Sequence, residues 1–202
     1  MAQEKIPLDA TRFATGMAWK DYLAQMGDTK ARTEENYNKA SLTADEKQFF
    51  SGLNQVKYVL MMAENWCGDV HRNSPMIARI VEAMPGTEMR VFFRDQNPDL
   101  TDCFLNNGYR SIPIVVFFDK DWNEIGRWIE RPAAATQKSF AIRAVTLDVA
   151  GEDQTKKDAA MAEFRKQVQA GYDTAPDKSL WRETVKEVRS VLETRLGLAG
   201  KK

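Results

Sequence analysis

Glu64-Asn65-Trp66-Cys67-Gly68-Asp69-Val70 is the stretch on which the reading of this 202-residue chain turns. Just before it, Val56 to Ala63 is a nearly unbroken apolar run of strand length, the mark of a strand buried on both faces. Just after it, Val70, Met76, Ile77, Ile80, Val81 and Met84 recur at helical spacing, and Pro85-Gly86 ends that segment. Cys67 therefore stands where a buried strand hands over to a helix, at or just before the first turn. Unpaired backbone N–H groups and the positive end of the helix dipole gather there, and both favour thiolate over thiol. A small, packed and inert cysteine is the other reading of the same position.

Working outward, Glu88 to Arg94 is a second strand containing Met89, Val91, Phe92 and Phe93. Asn97 as cap and Pro98 at the first position open a helix that runs through Leu100, Phe104 and Leu105 and stops at Asn107-Gly108. Ile112 to Phe118 is a third apolar strand. Asp119 to Asn123 is a polar turn interrupted by Trp122, and Glu124 to Ile129 returns as a fourth strand. The order β-α-β-α-β-β predicts a mixed sheet, with right-handed crossovers in its parallel part and then one hairpin.

Upstream, Phe13, Met17, Trp19, Tyr22, Leu23 and Met26 predict one helical stretch closed by Gly27. Thr43-Ala44-Asp45-Glu46 reads as a capping box ahead of Phe49, Phe50 and Leu53. Beyond Arg131-Pro132 the strands cease. Met161, Phe164 and Val168 mark one helix and Trp181, Val185, Val188 and Leu192 another, with Pro176 as a breaker between them. The chain thus reads as an α/β core over 54–131, with a helical N-terminal extension over 1–53 and a helical C-terminal extension over 132–202. The apolar faces of these extensions need a partner, either the core or a second copy in an oligomer.

Composition narrows the chemistry. Lys plus Arg and Asp plus Glu both number 29, so the basic excess that nucleic acid requires is missing. At 43% hydrophobic, with ten Phe, five Trp and five Tyr, the chain can bury a sizeable core. No run of eighteen apolar residues exists, which predicts no membrane partner, and Met1 through Asp9 shows no secretory pattern. With sparse cysteines, this points to the cytoplasm. Cys67, Cys103 and His71 are the only Cys and His residues, too few and too scattered for structural zinc, so no metal is expected. Gly-x-Ser-x-Gly elbows and Gly-rich phosphate loops are absent, and no organic cofactor is implied. What remains is cysteine chemistry or none.

Trp66-Cys67-Gly68-Asp69-Val70 resembles the Trp-Cys-Gly-x-Cys stretch of the thioredoxin family. Pro75 stands where that family carries a helix-kinking proline, and Arg110-Ser111-Ile112-Pro113-Ile114 resembles the segment holding its cis-proline. The order of elements is similar too, and Arg94-Asp95-Gln96-Asn97-Pro98 resembles a bacterial thioredoxin-like branch. The resemblance implies a thioredoxin-like fold and thiol–disulfide exchange at Cys67, with Trp66 and Gly68 around the sulfur. It implies that Ile112 and Pro113 offer backbone groups to an extended substrate segment. Two positions depart from the pattern: Val70 replaces the second cysteine, and Met61 replaces the buried acid.

With no resolving thiol, Cys67 would form a mixed disulfide that an outside thiol must finish. The implied partners are a disulfide-containing protein or a low-molecular-weight thiol. Cys103 is read as a packed thiol. Asp69 falls in the first turn, where its charge opposes the thiolate. His71, four residues after Cys67, would favour the thiolate if charged, or is a surface histidine. Glu64 is either a proton acceptor or a solvated strand-end residue. The alternative function is a non-catalytic binding or scaffold protein. Peroxidase chemistry lacks its Thr-x-x-Cys pattern, because Glu64 occupies the threonine place.

Overall fold

The structure, a computed structural model, describes residues 6–151, 153–174 and 179–198. Pro176, read above as a breaker, lies outside them. Nine α-helices and four strands are described: α1 (Ala10–Ala14), α2 (Trp19–Ala24), α3 (Lys30–Lys39), α4 (Ala44–Ser51), β1 (Tyr58–Ala63), α5 (Gly68–Glu82) and β2 (Glu88–Phe93) come first. α6 (Pro98–Asp102), β3 (Ile114–Phe118), β4 (Glu124–Ile129), α7 (Ala133–Val145), α8 (Gln154–Ala170) and α9 (Leu180–Arg195) follow. The fold is α/β. Its mixed sheet has strand order β2-β1-β3-β4, is flanked by helices, and carries further helices at both ends.

β1 pairs parallel with β2 and antiparallel with β3, and β3 pairs antiparallel with β4. Only one crossover is therefore of the parallel kind, and α5 supplies it. The apolar run predicts β1 well: Val59 through Ala63 are all fully buried at the centre of the sheet. Each such large side chain contributes roughly 1.5–3 kcal/mol of burial. Trp122 owes its place to Asp119, whose Oδ1 accepts from the backbone N of Asp121 at 2.8 Å and of Asn123 at 2.9 Å. This loop holds Trp122 at φ 65°, with its ring stacked on Tyr58 at 4.0 Å.

The N-terminal stretch is not one helix. α1 and α2 are separated at Gly16, where a Cβ would come within 2.5 Å of the Phe92 ring. There the chain spends its backbone on β2, Met17 N donating to Val91 O at 2.9 Å and Val91 N to Met17 O at 2.8 Å. α3 escapes hydrophobic periodicity because its buried residues are Thr33 and Asn36. α7 escapes it through its alanines, only Ala135 and Ile142 being buried. α6 stops at Asp102 instead of running on to Asn107. Asn97 precedes it without capping it: Nδ2 donates to Phe93 O at 2.8 Å, and Oδ1 accepts from Arg12 Nη2 at 2.8 Å.

The capping box of α4 forms as the sequence predicts, and Glu46 also pairs with the buried Arg182 of α9. α9 packs on β4 so closely that a Cβ on Gly126 would meet Val191 Cγ1 at 2.7 Å. Buried apolar residues from Leu8 to Leu192 form one cluster, so the helices at both ends share the core of the sheet. Among the described residues no helix is long and apolar enough to cross a membrane.

Candidate active site

Pairing register assembles the site. β1 runs out at Ala63, and Met62 lies opposite Ile114 at the start of antiparallel β3. The residues after β1 and those before β3 therefore meet at the same sheet end. Cys67 is the N-cap of α5, extended at φ −82° and ψ 121°, with its N–H donating to Glu64 O at 3.3 Å. Its Sγ donates to Ile112 O at 3.7 Å, and the Ile112–Pro113 peptide is cis. Val70, in the place of a second cysteine, is fully buried, as are Met61 and Met62.

Electrostatics at the sulfur go against the simple helix-start expectation. Burial pushes the Cys67 thiol up, and the negative charges of Asp69 and Glu130 push the same way. The N–H groups of Val70 and Asp69 oppose this, but burial is the largest influence. Asp69 is itself half-buried in a small charge cluster. It pairs with Arg131 and lies 3.6 Å from Arg72 Nη1, while Arg131 Nη2 reaches Glu130 Oε1 at 2.9 Å. Burial raises the Asp69 carboxyl above its ordinary range, against the pull of both guanidiniums. Arg72 lies across Gly68, where a Cβ would stand 3.0 Å from Nη1, and its Nε has no partner.

The remaining predicted residues divide. Trp66 is 58% exposed beside the cysteine, with the Arg94 guanidinium 5.0 Å from its ring centroid. Glu64 is no solvated strand end: it is buried, and Oε1 accepts from Asp95 N at 2.8 Å. His71 is not a free surface residue. It is half-buried, Nε2 donates to Asn65 O at 2.5 Å, and burial holds its pKa below the usual imidazole value. Cys103 Sγ donates to Asp99 O at 3.3 Å, and both cysteines are thiols. Among the described residues no group of three His, Cys, Asp or Glu side chains is placed to hold a metal.

Arg72, Glu130 and Arg131 are the site residues that sequence reading misses. Arg131 was legible in principle. Ile114 pairs with Ile129 across the β3–β4 hairpin, so the two residues after Ile129 fall beside Pro113. Glu130 N donates to Pro113 O at 2.6 Å and Glu130 takes φ 68°, which turns Arg131 toward Asp69.

A mixed sheet with this strand order, a helix-start cysteine and a cis-proline facing it define the thioredoxin class of fold. A thioredoxin family model matches residues 16–144, and the chain belongs to that family. The match starts well before β1 and ends within α7. No curated protein matches the chain. It is similar to a solved structure of a protein of unknown function from Pseudomonas aeruginosa, at 16% identity and a TM-score of 0.63, over 93% of this chain and 98% of that one. It is also similar to an HIV epitope-scaffold structure, at 14% identity and a TM-score of 0.56, over 90% of this chain and 95% of that one. At these identities the likeness concerns the fold alone.

Proposed function

We propose that the protein is a monothiol thiol–disulfide oxidoreductase of the bacterial thioredoxin-like type, with Cys67 as its catalytic residue. The observation that carries this reading is the Cys67 sulfur at the N-cap of α5, 3.7 Å from the carbonyl before the cis-proline, over a buried Val70. Cys67 thiolate attacks one sulfur of a substrate disulfide. The S–S bond breaks, a new S–S bond joins Cys67 to the substrate, and the other substrate sulfur leaves as thiolate. Val70 offers no sulfur to attack the mixed disulfide and release the substrate, so an external thiol finishes the reaction. Such dependence on a thiol pool suits a reducing compartment such as the cytoplasm.

The supporting residues act on position and charge. Ile112 and Pro113 present backbone to an extended substrate segment, and exposed Trp66 gives it an apolar platform. Gly68 leaves room for the Arg72 guanidinium beside the sulfur. Asp69 holds Arg131 and tempers the thiolate. Glu64 ties the end of β1 to Asp95, and His71 ties the start of α5 to Asn65. A raised thiol pKa has two consequences: less thiolate at rest, and a sulfur that leaves slowly once bonded. The adduct is therefore long-lived.

That same burial favours a second reading, a binding module whose cysteine is not used. The two are separated in a Cys103→Ala background by intact mass after incubation with a disulfide-bonded peptide. The enzyme gives a Cys67–peptide adduct that added thiol removes. Failure to form it while Cys67 reacts normally in the denatured chain would sink the enzyme and leave the module.

A further inference from the structure

Beside Cys67, on a face that shares no lining residue with the cleft around Ser111 and Tyr109, lies a second cleft of about 740 Å³. Its wall includes Trp66 and Gly68, the residues on either side of the cysteine. α3, α5 and α8 supply most of the rest, with Asp28 and Thr29 from the turn before α3 and Asp173 from just past α8, and its charged lining is unbalanced: Arg32, Arg72, Arg165 and Lys166 against Asp28 and Asp173. Asp173 is already shared between Arg32 and Lys39. Arg165 has no acidic partner among the described residues, and Lys166 has only Glu163, at 3.8 Å. Arg72 carries the strongest signal. Its side chain is 11% exposed, its nearest carboxylate oxygen is 3.6 Å away, and its Nε has no partner. A guanidinium carries five donors, and leaving them unmet in a buried place is costly. An incoming carboxylate would meet them.

We propose that this cleft binds the resolving co-substrate, a low-molecular-weight thiol bearing carboxylates, with Arg72 at its inner end and Arg165 and Lys166 at its mouth. The inference rests on the monothiol reading of Cys67 and names the thiol that completes it. The volume suits a ligand of peptide size and is small for a folded partner. A substrate carrying such a thiol, Sub–S–S–R, loses R to Cys67: the thiolate attacks the sulfur of R, Sub–S⁻ leaves, and Cys67–S–S–R remains. A second R–S⁻ attacks the same sulfur of R, releasing Cys67 thiolate and R–S–S–R. The net change turns Sub–S–S–R and one R–SH into Sub–SH and R–S–S–R: the incoming R thiol is oxidised as the substrate sulfur is reduced, the first R sulfur stays at the disulfide level throughout, and Sub–S⁻ takes the proton that the incoming R–SH lost.

The test compares two disulfides in a Cys103→Ala background, glutathione disulfide as the anionic probe and hydroxyethyl disulfide as the neutral one. Rates of Cys67 adduct formation are read by intact mass and normalised to a free reference thiol. A cleft of one sign focuses ligand charge, so glutathione disulfide should react roughly tenfold faster after normalisation, and the preference should shrink as salt rises. Arg165→Glu/Lys166→Glu, on the exposed face of α8, should abolish that preference while leaving the neutral rate unchanged. A charge-blind wild type, or a variant that keeps the preference, overturns the proposal. Binding of S-methylglutathione, which has no thiol, is measured beside it by calorimetry. If Cys67 forms no adduct with either disulfide, saturable binding that the variant loses still supports the cleft while the monothiol reading fails. No binding by wild type then overturns both.

Discussion

Asp69 and Arg131 should move Cys67 in opposite directions, and both effects can be sized. Asp69 lies in the first turn of α5, two residues beyond Cys67, and its charge acts on the sulfur; two side chains within one helical turn stand on the order of 7 Å apart. At an effective dielectric of about 20–40 their repulsion is about 1 to 2 kcal/mol. Asp69→Asn removes it while leaving both guanidiniums in place, so alkylation of Cys67 at neutral pH should rise roughly fivefold to thirtyfold. Stability should not fall with it. Burial holds the Asp69 carboxyl above its unfolded range, so its contribution is present below that range and lost as pH rises through the folded value. At neutral pH the charged carboxylate is thus a net cost that the amide relieves, and Arg131 keeps Glu130 at 2.9 Å. The ion pair with Arg131 alone would argue the reverse sign, but both partners are substantially desolvated, and for such pairs burial commonly outweighs attraction.

Arg131→Met is the counterpart. It leaves Asp69 with the Arg72 guanidinium alone and takes the cation from Glu130, slows alkylation, and costs about 2 kcal/mol, a figure reduced because a quarter of the Arg131 side chain is exposed. For a chain of this size that lowers the melting temperature by about 4–8 °C. The assay is iodoacetamide alkylation in a Cys103→Ala background, followed by mass, with thermal unfolding of each variant. If both substitutions shift the rate in the same direction, or neither shifts it, the charge cluster does not govern the thiol and the reasoning is refuted.

Three further outcomes follow from the same contacts. Val70→Cys restores a second thiol one helical turn from Cys67, so an internal disulfide should form and insulin reduction should proceed without a large excess of small thiol. Quantified free thiols in the oxidised variant, with Cys103 removed, check it. Thr43→Ala removes one half of the α4 capping box and should cost about 1 kcal/mol in urea unfolding, with no change in Cys67 reactivity. His71 is the only histidine, and burial keeps it neutral in the fold. Its contribution to stability is present above the unfolded imidazole value of about 6.5 and lost as pH falls through the folded value. The melting temperature should therefore decline from pH 7 toward 5, and His71→Gln, which keeps a donor for Asn65 O, should flatten that decline.

What the chain discloses about itself depends on where its hydrophobic signal lies. β1 and α5 were legible because Val59–Ala63 is an unbroken apolar run and Val70–Val81 a stripe at helical spacing, and β4 because a polar turn precedes it. α3 was not, because it packs on α5 through Thr33 and Asn36, and Asn36 Nδ2 donates to His71 O at 2.8 Å. A helix anchored by polar groups leaves no apolar stripe to read. The break between α1 and α2 was hidden for the opposite reason: Met17 fits the helical spacing of its neighbours, yet its backbone is claimed by β2. Cys67 and Pro113 were readable from local motifs. Glu130 and Arg131 could be reached only through the β3–β4 hairpin register, and Arg72 not at all, because its role depends on how deeply α5 starts inside the protein.

Those unread residues change the meaning of the motif. A helix-start cysteine by itself predicts an acidic thiol, since dipole and N–H groups both favour the anion. Here the sulfur sits beside the half-buried carboxylates of Asp69 and Glu130, and desolvation outweighs the helix. In a dithiol enzyme a less acidic attacking sulfur would slow the first step with no return. A monothiol is different, because its intermediate must survive until a second molecule arrives. Nucleophilicity rises with pKa and departure slows with it, so a buried sulfur attacks strongly once ionised and then holds its adduct. Val70 and the Asp69–Arg131–Glu130 cluster are then parts of one arrangement. Val70 removes the internal route of release, the carboxylates lengthen the life of the adduct, and the cations beside Gly68 supply the means to recruit an anionic thiol that ends it.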